Sequence, residues 1–144
     1  MKKLNENKLM LTVLIILCFV MAFVSFRQKQ FRSNLKEVKE LPYKGISVQT
    51  LDDGIYSGKA YTSFLTLELQ STVENKAYKS IEIVNMSGRY GKNIQGFIDE
   101  LLSTGKITIP SKKIPMLEYL VFLSCLDQSV EHNGNTAVIT NAAE

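Results

Sequence analysis

The sequence predicts an α+β protein, in which an N-terminal transmembrane helix is followed by a small antiparallel sheet with two helices packed on it. Three observations predict it. Residues 9–26 contain no charged side chain, and residues 54–86 contain three short strand-like segments joined by tight connections. After them, residues 94–105 and 115–130 carry helical apolar patterns. Strands that come first and helices that follow are typical of an antiparallel sheet with helices on one face.

The first element is the apolar run "LMLTVLIILCFVMAFVSF", residues 9–26. As a helix it would be about 27 Å long, which is close to the hydrocarbon thickness of a bilayer. A cleaved signal peptide is the alternative interpretation. The apolar core is longer than that of most signal peptides, and "MAFVSF" is a poor match to a small-x-small cleavage site. An uncleaved anchor over residues 1–26 is therefore favoured.

Residues 27–44 form a basic stem, with six basic residues against Glu37 and Glu40. Phe31, Leu35 and Val38 recur at helical spacing, so the helix is predicted to continue as an amphipathic stem until Pro42 stops it. A basic stem next to an apolar run is suited to contact with anionic lipid headgroups. If the positive charge of the stem alone decided the membrane orientation, the following domain would stay in the cytoplasm.

The third segment, residues 45–144, is predicted to be one α+β domain. It contains eight basic and eleven acidic residues, which argues against a nucleic-acid surface because such surfaces need concentrated positive charge. Cys18 and Cys125 lie far apart and His132 is the single histidine. This spacing predicts neither a disulfide framework nor a zinc site.

Within this domain, the strands are predicted from residue alternation. Leu65, Leu67 and Leu69 alternate with polar residues, which is the pattern of a half-buried strand. "GIYSGKAY" before it and "YKSIEIVNM" after it complete a meander, with a turn at residues 74–76. Upstream, residues 46–48 are a candidate short strand.

The helices are predicted from apolar spacing and from end signals. The loop "SGRYGKN", residues 87–93, leads into a helix that Asn93 caps and Gly105 stops. Pro115 suits the first turn of a second helix, which is apolar nearly all round and is expected to be buried. "ITI" at residues 107–109 is a candidate strand, "HNGN" at residues 132–135 a turn, and "TAVIT" at residues 136–140 an edge strand or tail.

Three stretches are candidates for chemistry. Asp52-Asp53-Gly54 is interpreted as a turn that leads into a strand rather than as a carboxylate metal site. Cys125, in an apolar helix, is expected to be an inert core thiol. The loop "SGRYGKN" opens a helix and carries Arg89 and Lys92, which is a suitable place for an anionic group.

The order of anchor, stem, "LDDGIYSGKAY", strands, glycine loop and helix resembles the FMN-binding domain family. This family occurs in bacterial membrane-anchored flavoproteins, including the flavin-carrying subunits of Rnf and Nqr complexes. Its D-G-x-Y-x-G element is matched by Asp53, Gly54, Tyr56 and Gly58, and "AYKSIEIV" approximates its next strand. The resemblance covers residues 45–127. It implies FMN as cofactor, electron transfer with a membrane redox complex as partner, and a domain outside the cytoplasm.

The family's cofactor element, D-x-x-[ST]-G-A-T-x-[ST]-S, is missing. One alignment of this element to the chain places Ser124 at its threonine and Glu118 at its aspartate. In another alignment, the chain matches only the helix that follows the element. If FMN is held, its phosphate is expected near Ser124 and either Arg89 or Lys92, without a covalent bond. Gly54 is expected to be required by the conformation of its turn. The alternative function is a non-catalytic interaction module that kept the fold and lost the flavin.

Overall fold

The computed structural model describes residues 2–42, 45 and 47–134, with side chains over 7–42, 45 and 47–130. The chain divides into two compact units, Met1–Ser33 and Asn34–Glu144. The first element, helix α1, covers Lys2–Glu40. The α+β architecture predicted from the sequence is confirmed.

The first unit consists of α1 as far as Ser33. Within the described residues, α1 is the one helix that is long and apolar enough to cross a membrane. Its side chains over residues 9–26 are exposed, as a segment surrounded by lipid requires. Just after this run, the guanidinium of Arg27 lies 5.6 Å from the ring centroid of Phe23, which is within the distance for a cation–π interaction.

The second unit begins with the last turns of α1. Asn34 and Val38 are buried and Leu35 is half-buried, so one face of the stem helix packs against the domain. Both carboxylate oxygens of Glu37 accept hydrogen bonds from Ser63, one from its backbone N–H and one from its hydroxyl. The helix ends before Pro42, as predicted. The compact unit therefore starts at Asn34, eleven positions before the residue 45 predicted from the sequence.

A short 3₁₀ helix, Val48–Thr50, stands where the sequence suggested a strand at residues 46–48. The hydroxyl of Ser47 accepts a hydrogen bond from the Gln49 N–H (3.4 Å), and the Thr50 hydroxyl donates to the Ser47 carbonyl (2.7 Å). Local side-chain bonds of this kind compete with strand pairing. The strand interpretation was wrong for Val48, and Ile46 lies outside the described residues.

The sheet consists of β1 (Gly54–Tyr61), β2 (Leu65–Glu74) and β3 (Ala77–Gly88), in the order β1-β2-β3 with antiparallel pairing. The predicted meander is confirmed. Asn75 and Lys76 join β2 to β3 with φ angles of 53° and 63°. Two consecutive positive φ angles are typical of a type I′ turn, whose twist matches that of the flanking strands.

The two edges of this sheet differ. β1 pairs with β2 in an unbroken register from Gly54 opposite Val73 to Tyr61 opposite Thr66. The pairing of β2 with β3 shifts twice, between Glu68 and Leu69 and between Thr72 and Val73. Each shift is a β-bulge, and bulges are one way in which proteins protect exposed sheet edges.

Helix α2 covers Ile94–Thr104 and has the predicted ends. Asn93 is at the N-cap position, but its side chain makes no capping bond to the helix and donates to Glu118 instead. Gly105 ends the helix in the left-handed conformation (φ 71°). Residues 107–109 are not a strand, contrary to the sequence-based prediction. The side chain of Glu100 accepts hydrogen bonds from the N–H (3.0 Å) and the hydroxyl (2.6 Å) of Thr108, so this amide has a side-chain partner instead of a neighbouring strand.

Helix α3 covers Lys113–Gly134 and has Pro115 in its first turn, as predicted. It continues through residues 132–134, where a turn was predicted. The turn prediction was therefore wrong for residues 132–134, and residue 135 lies outside the described residues. The candidate strand at residues 136–140 lies outside the described residues.

The core lies between α3, α2 and the inner face of the sheet. β2 shows strict alternation: its inward side chains are at most 1% exposed, and they are Leu65, Leu67, Leu69, Ser71 and Val73. α3 covers them with Leu117, Val121 and Phe122, and α2 adds Ile94, Phe97 and Ile98. On the opposite, outer face, Ile55, Tyr61 and Val84 are 56–61% exposed.

Candidate functional site

The stretch "LDDG" closes one end of the sheet. Asp53 Oδ1 accepts a hydrogen bond from the N–H of Asn75 (2.8 Å) in the β2–β3 turn. Lys76 Nζ donates to the Leu51 carbonyl (2.7 Å), and the hydroxyl of Tyr56 donates to the Asp52 carbonyl (2.8 Å). The polar groups of this stretch therefore have structural partners within the chain, and these bonds hold the turn against the start of β1.

The two glycines of this motif have different environments. A Cβ on Gly54 would lie 3.7 Å from the Tyr56 ring, an ordinary contact, and the φ of Gly54 is not positive. The expected conformational requirement at Gly54 was therefore wrong. A Cβ on Gly58 would lie 1.9 Å from the Cys125 carbonyl oxygen and 2.7 Å from Cβ of Ser129. Gly58 is required because β1 and α3 approach each other so closely.

The loop "SGRYGKN" packs against the β1–β2 connection. The N–H groups of Arg89 (2.8 Å) and Tyr90 (3.4 Å) donate to the Phe64 carbonyl, and the rings of Phe64 and Tyr90 are 5.4 Å apart. Gly91 has a φ of 133°, a conformation that side chains other than glycine rarely adopt. The side chains of Arg89 and Lys92 are exposed at the surface of this loop.

The N-terminus of α2, where the sequence predicted an anionic group, is occupied by a carboxylate of the chain itself. Oε1 of Glu118 accepts from the Gly91 N–H (2.8 Å), and Oε2 accepts from the N–H (3.1 Å) and the side-chain amide (2.6 Å) of Asn93. Glu118 is 1% exposed. Negative charge is favoured near this end of a helix, and Glu118 occupies the N–H groups of the loop that directly precedes α2.

From the sequence, Glu118 was named only because one alignment places it at the aspartate of the FMN-binding family. Its hydrogen bonds at the start of α2 were not predicted. A signal was present, because Glu118 is the one acidic residue between Lys113 and Leu126 in an apolar helix. An acid in a buried helix needs hydrogen-bond donors or a positive charge nearby. The loop that opens α2 offers free N–H groups, as the start of any helix does.

Ser124 has internal partners as well. Its hydroxyl donates to the Pro42 carbonyl (2.9 Å) and accepts a bond from Nε2 of Gln128 (3.2 Å). Only 2% of Ser124 is exposed. This side chain therefore ties α3 to the residues that follow the stem helix.

The seven residues predicted to hold the flavin do not form one site. The sheet register places Gly54 opposite Val73 and Gly88 opposite Leu65, at the two ends of β2. These ends are about 27 Å apart along an extended strand. Asp53 and Arg89, which flank these positions, therefore cannot contact the same phosphate. With Glu118 at the start of α2 and Ser124 bonded to Pro42, the residues that are present do not fit FMN.

Cys125 is fully buried, in agreement with its interpretation as a core thiol. Its Sγ donates to the Leu67 carbonyl (3.4 Å), and burial raises the pKa of the thiol to about 12. The described residues contain no group of three or more side chains that could hold a metal ion.

One recess is a groove of about 560 Å³ beside β1. Ligand pockets commonly have volumes of 300–1,000 Å³. The groove is lined mainly by apolar atoms, and its lining includes Ser57, Lys59, Tyr61, Glu68, Val84 and Gln128. We call the outward-facing residues of β1, which are Ile55, Ser57, Lys59 and Tyr61, the β1 surface. Three of them, Ser57, Lys59 and Tyr61, also line the groove.

Lys59 organises the polar part of the β1 surface. It forms an ion pair with Glu68 on the neighbouring strand, and its Nζ lies 5.1 Å from the ring centroid of Tyr61. The bond from Lys59 lowers the pKa of Glu68 below its ordinary value. One charged pair therefore lies among exposed apolar side chains.

A smaller recess, of about 170 Å³, lies between β3, α2 and α3. Tyr78, Tyr119 and Asp127 contribute its polar groups. Burial and the charge of Asp127 raise the pKa of the Tyr78 hydroxyl. Tyr78 therefore stays protonated at neutral pH.

Comparison of the chain with protein-family models, curated proteins and solved structures finds no match. The resemblance to FMN-binding domains therefore rests on the quoted residues alone. Those residues make internal contacts in this fold.

Proposed function

We propose that this chain is a membrane-anchored, non-catalytic interaction module that docks a partner on the β1 surface. The observation that supports the proposal is the hydrogen bonding of Glu118 to Gly91 and Asn93, which takes up two N–H groups of the loop that was a candidate for an anionic ligand. The groove beside β1 has a volume of about 560 Å³, within the range of ligand pockets.

The character of the β1 surface supports docking of another polypeptide. Ile55 and Tyr61 are 60% and 56% exposed, and Val84 of β3, which lines the same groove as Tyr61, is 61% exposed. Exposed apolar side chains grouped on one face with polar neighbours are typical of interaction sites. Tyrosine is also among the residues that contribute most to binding energy at interfaces.

The proposal is tested by photocrosslinking in intact membranes. A photoreactive phenylalanine analogue replaces Tyr61 in one variant and Leu102 in the other, because Leu102 is also exposed (39%) but lies on α2. We expect one defined adduct from position 61 and none from position 102. Adding Lys59→Glu, which places two acids side by side, should reduce the adduct. Equal labelling from both positions, or an adduct that ignores Lys59→Glu, would contradict the proposal.

For the orientation, we propose that the domain lies outside the cytoplasm, as the resemblance to the FMN-binding family implies. The positive charge of the stem favours the opposite side, but this charge bias is not absolute. A reporter fused after Glu144 tests the point. Activity of a reporter that works only in the cytoplasm would overturn the proposed orientation.

Electron transfer with bound FMN, in a bacterial flavoprotein attached to a redox complex, is the second candidate function. It is favoured by the order of elements in the domain, because three strands, a glycine loop and two helices follow one another as the resemblance implies. The full chain, solubilised in detergent with added FMN, is examined by absorbance and calorimetry. We expect neither flavin bands nor heat at high micromolar FMN. A yellow protein would favour the flavin function.

A further inference from the structure

The loop "SGRYGKN", residues 87–93, presents two basic side chains on a backbone that is held in place. Four of its N–H groups donate hydrogen bonds within the chain, two to the Phe64 carbonyl and two to the carboxylate of Glu118. The side chains of Arg89 and Lys92 are exposed, and neither forms an ion pair with another residue that the structure describes. The loop therefore offers two cationic side chains rather than a backbone cradle for a single small anion.

The positive charge of this loop contrasts with most of the domain. Residues 45–144 contain eight basic and eleven acidic residues. The lysines in and beside the sheet are paired with carboxylates, Lys59 with Glu68, Lys76 with Asp52 and Lys79 with Glu74. A negatively charged surface would therefore be repelled by much of the domain and attracted where basic side chains are not paired. Two segments of that kind are this loop and residues 106–112, where Lys106 and Lys112 are exposed.

The connection to the stem distinguishes the loop from residues 106–112. Phe64, whose carbonyl holds the loop, follows Ser63, and Ser63 donates two hydrogen bonds to Glu37 of α1. Glu37 lies eleven residues after Phe26, the last residue of the apolar run, and eleven residues of helix span about 16 Å. Glu37 therefore stays within about 16 Å of the end of that run, and a tilt of the helix only shortens its distance from a bilayer.

This distance is within the reach of lipid headgroups. The headgroup layer adds about 5–8 Å to each side of the hydrocarbon, and attraction between exposed charges extends over a further Debye length of about 8 Å. Basic residues at such a distance are attracted to anionic lipids. We propose that Arg89 and Lys92 bind the anionic phospholipid headgroups of the membrane that α1 crosses. No residue of the β1 surface takes part, so this contact adds to the proposed docking of a partner.

The full chain in lipid nanodiscs is used to test the proposal. One set of nanodiscs contains phosphatidylcholine alone, and the other contains about 30% phosphatidylglycerol, which is anionic. A fluorophore is attached to the thiol introduced by Ser87→Cys in the Cys18→Ala chain, since Cys125 is fully buried and does not react. A small share of the lipids carries a nitroxide on the headgroup, which quenches the fluorophore at short range.

We expect several-fold stronger quenching in the anionic nanodiscs than in the neutral ones. High salt should remove this difference, because the Debye length falls to about 3 Å at 1 M. Arg89→Gln and Lys92→Gln should each reduce the equilibrium constant for contact with the anionic membrane about five-fold, since each removes one positive charge near the surface. The matched control is Lys106→Gln with Lys112→Gln, beyond the far end of α2, whose 11 residues span about 16 Å. This pair should leave the quenching unchanged.

Equal quenching in the two lipid compositions would overturn the proposal, and so would an equal loss in the control pair. Inorganic phosphate offers the same chemical group without a membrane, so it is added at millimolar concentration to the neutral nanodiscs. We expect no change in emission. A saturable change that Arg89→Gln removes would assign the loop to a free anion and overturn the lipid contact. Photocrosslinking from position 61 in the same variants reports partner docking separately, because its loss with unchanged lipid quenching would contradict the docking alone.

Discussion

The two faces of the sheet differ in what their side chains contact. On the inner face, Leu67 of β2 and Phe122 of α3 are fully buried, and even the backbone of α3 touches β1 at Gly58. On the outer face, Ile55 and Tyr61 are more than half exposed. Inner residues therefore determine stability, while outer residues are available for binding. Substitutions should affect unfolding strongly on the inner face and weakly on the outer face.

The largest effect is expected for Gly58→Val, on the inner face. Its first added carbon would lie 1.9 Å from the Cys125 carbonyl oxygen, and a backbone atom cannot move aside as a flexible side chain can. Overpacking typically costs 1–3 kcal/mol, so we expect a loss at the upper end, about 3 kcal/mol or more. Denaturant unfolding of the full chain in detergent measures it.

Gly54→Ala is the matched control for this substitution. Its Cβ would make only an ordinary contact, 3.7 Å from the Tyr56 ring. We expect a change of less than about 0.5 kcal/mol, the usual range for surface substitutions. Equal destabilisation by both variants would show that glycine matters here for a reason other than the approach of α3.

The next largest effect is expected for Glu118→Ala. It removes the acceptor for three hydrogen bonds at the start of α2, including the buried N–H of Gly91. Leaving buried donors without an acceptor should cost about 2–4 kcal/mol. Glu118→Gln keeps one acceptor oxygen and should lose less. If Glu118→Ala unfolds like the unmodified chain, or gains affinity for inorganic phosphate without losing stability, the assigned role of Glu118 is wrong.

A smaller effect is expected for Asp53→Ala, at the β2–β3 turn. It removes one bond, from the Asn75 N–H to Oδ1 of Asp53, and a single exposed hydrogen bond contributes about 0.5–1.5 kcal/mol. Asp52→Ala is the control, because Asp52 has a fully exposed side chain 3.6 Å from Lys76. Equal unfolding midpoints for the two variants would count against the bond to Asn75.

The smallest effect is expected on the outer face, at Glu68. The pKa of Glu68 is lowered in the folded chain from its ordinary 4.5, mainly by the bond from Lys59. A lowered pKa stabilises the fold above the unfolded value and ceases to do so as the pH falls through the folded value. Below about pH 4.5, the unmodified chain should therefore lose slightly more stability than Glu68→Gln. The free energy of unfolding is measured against pH for both proteins, and parallel curves would contradict this expectation.

Features that depend on neighbours in sequence could be predicted. The alternation of Leu65, Leu67 and Leu69 predicted β2, and Asn93 and Gly105 predicted the ends of α2. Both are local patterns. A strand at Val48 was predicted in error, because the hydroxyl of Ser47 favours a turn there.

The contacts that decide the candidate site are long-range. Glu118 and Gly91 are 27 positions apart, and Ser124 and Pro42 are 82 apart. No local pattern shows that these pairs meet. The motif from Asp53 to Gly58 was interpreted as part of a cofactor site, yet its residues close a turn and allow α3 to approach. The β1 surface could not be predicted, since it depends on which face of the sheet the helices leave open.

Burial of Cys125 has a consequence for how its thiol reacts with oxidants. Its pKa of about 12 leaves about one thiol in ten thousand ionised at pH 8, and the packing of α3 on β1 keeps reagents away. Once the chain unfolds, the same thiol becomes an ordinary, reactive one. Damaged copies would then cross-link to one another while intact copies stay reduced, so the redox state of Cys125 records whether a molecule has ever lost its fold.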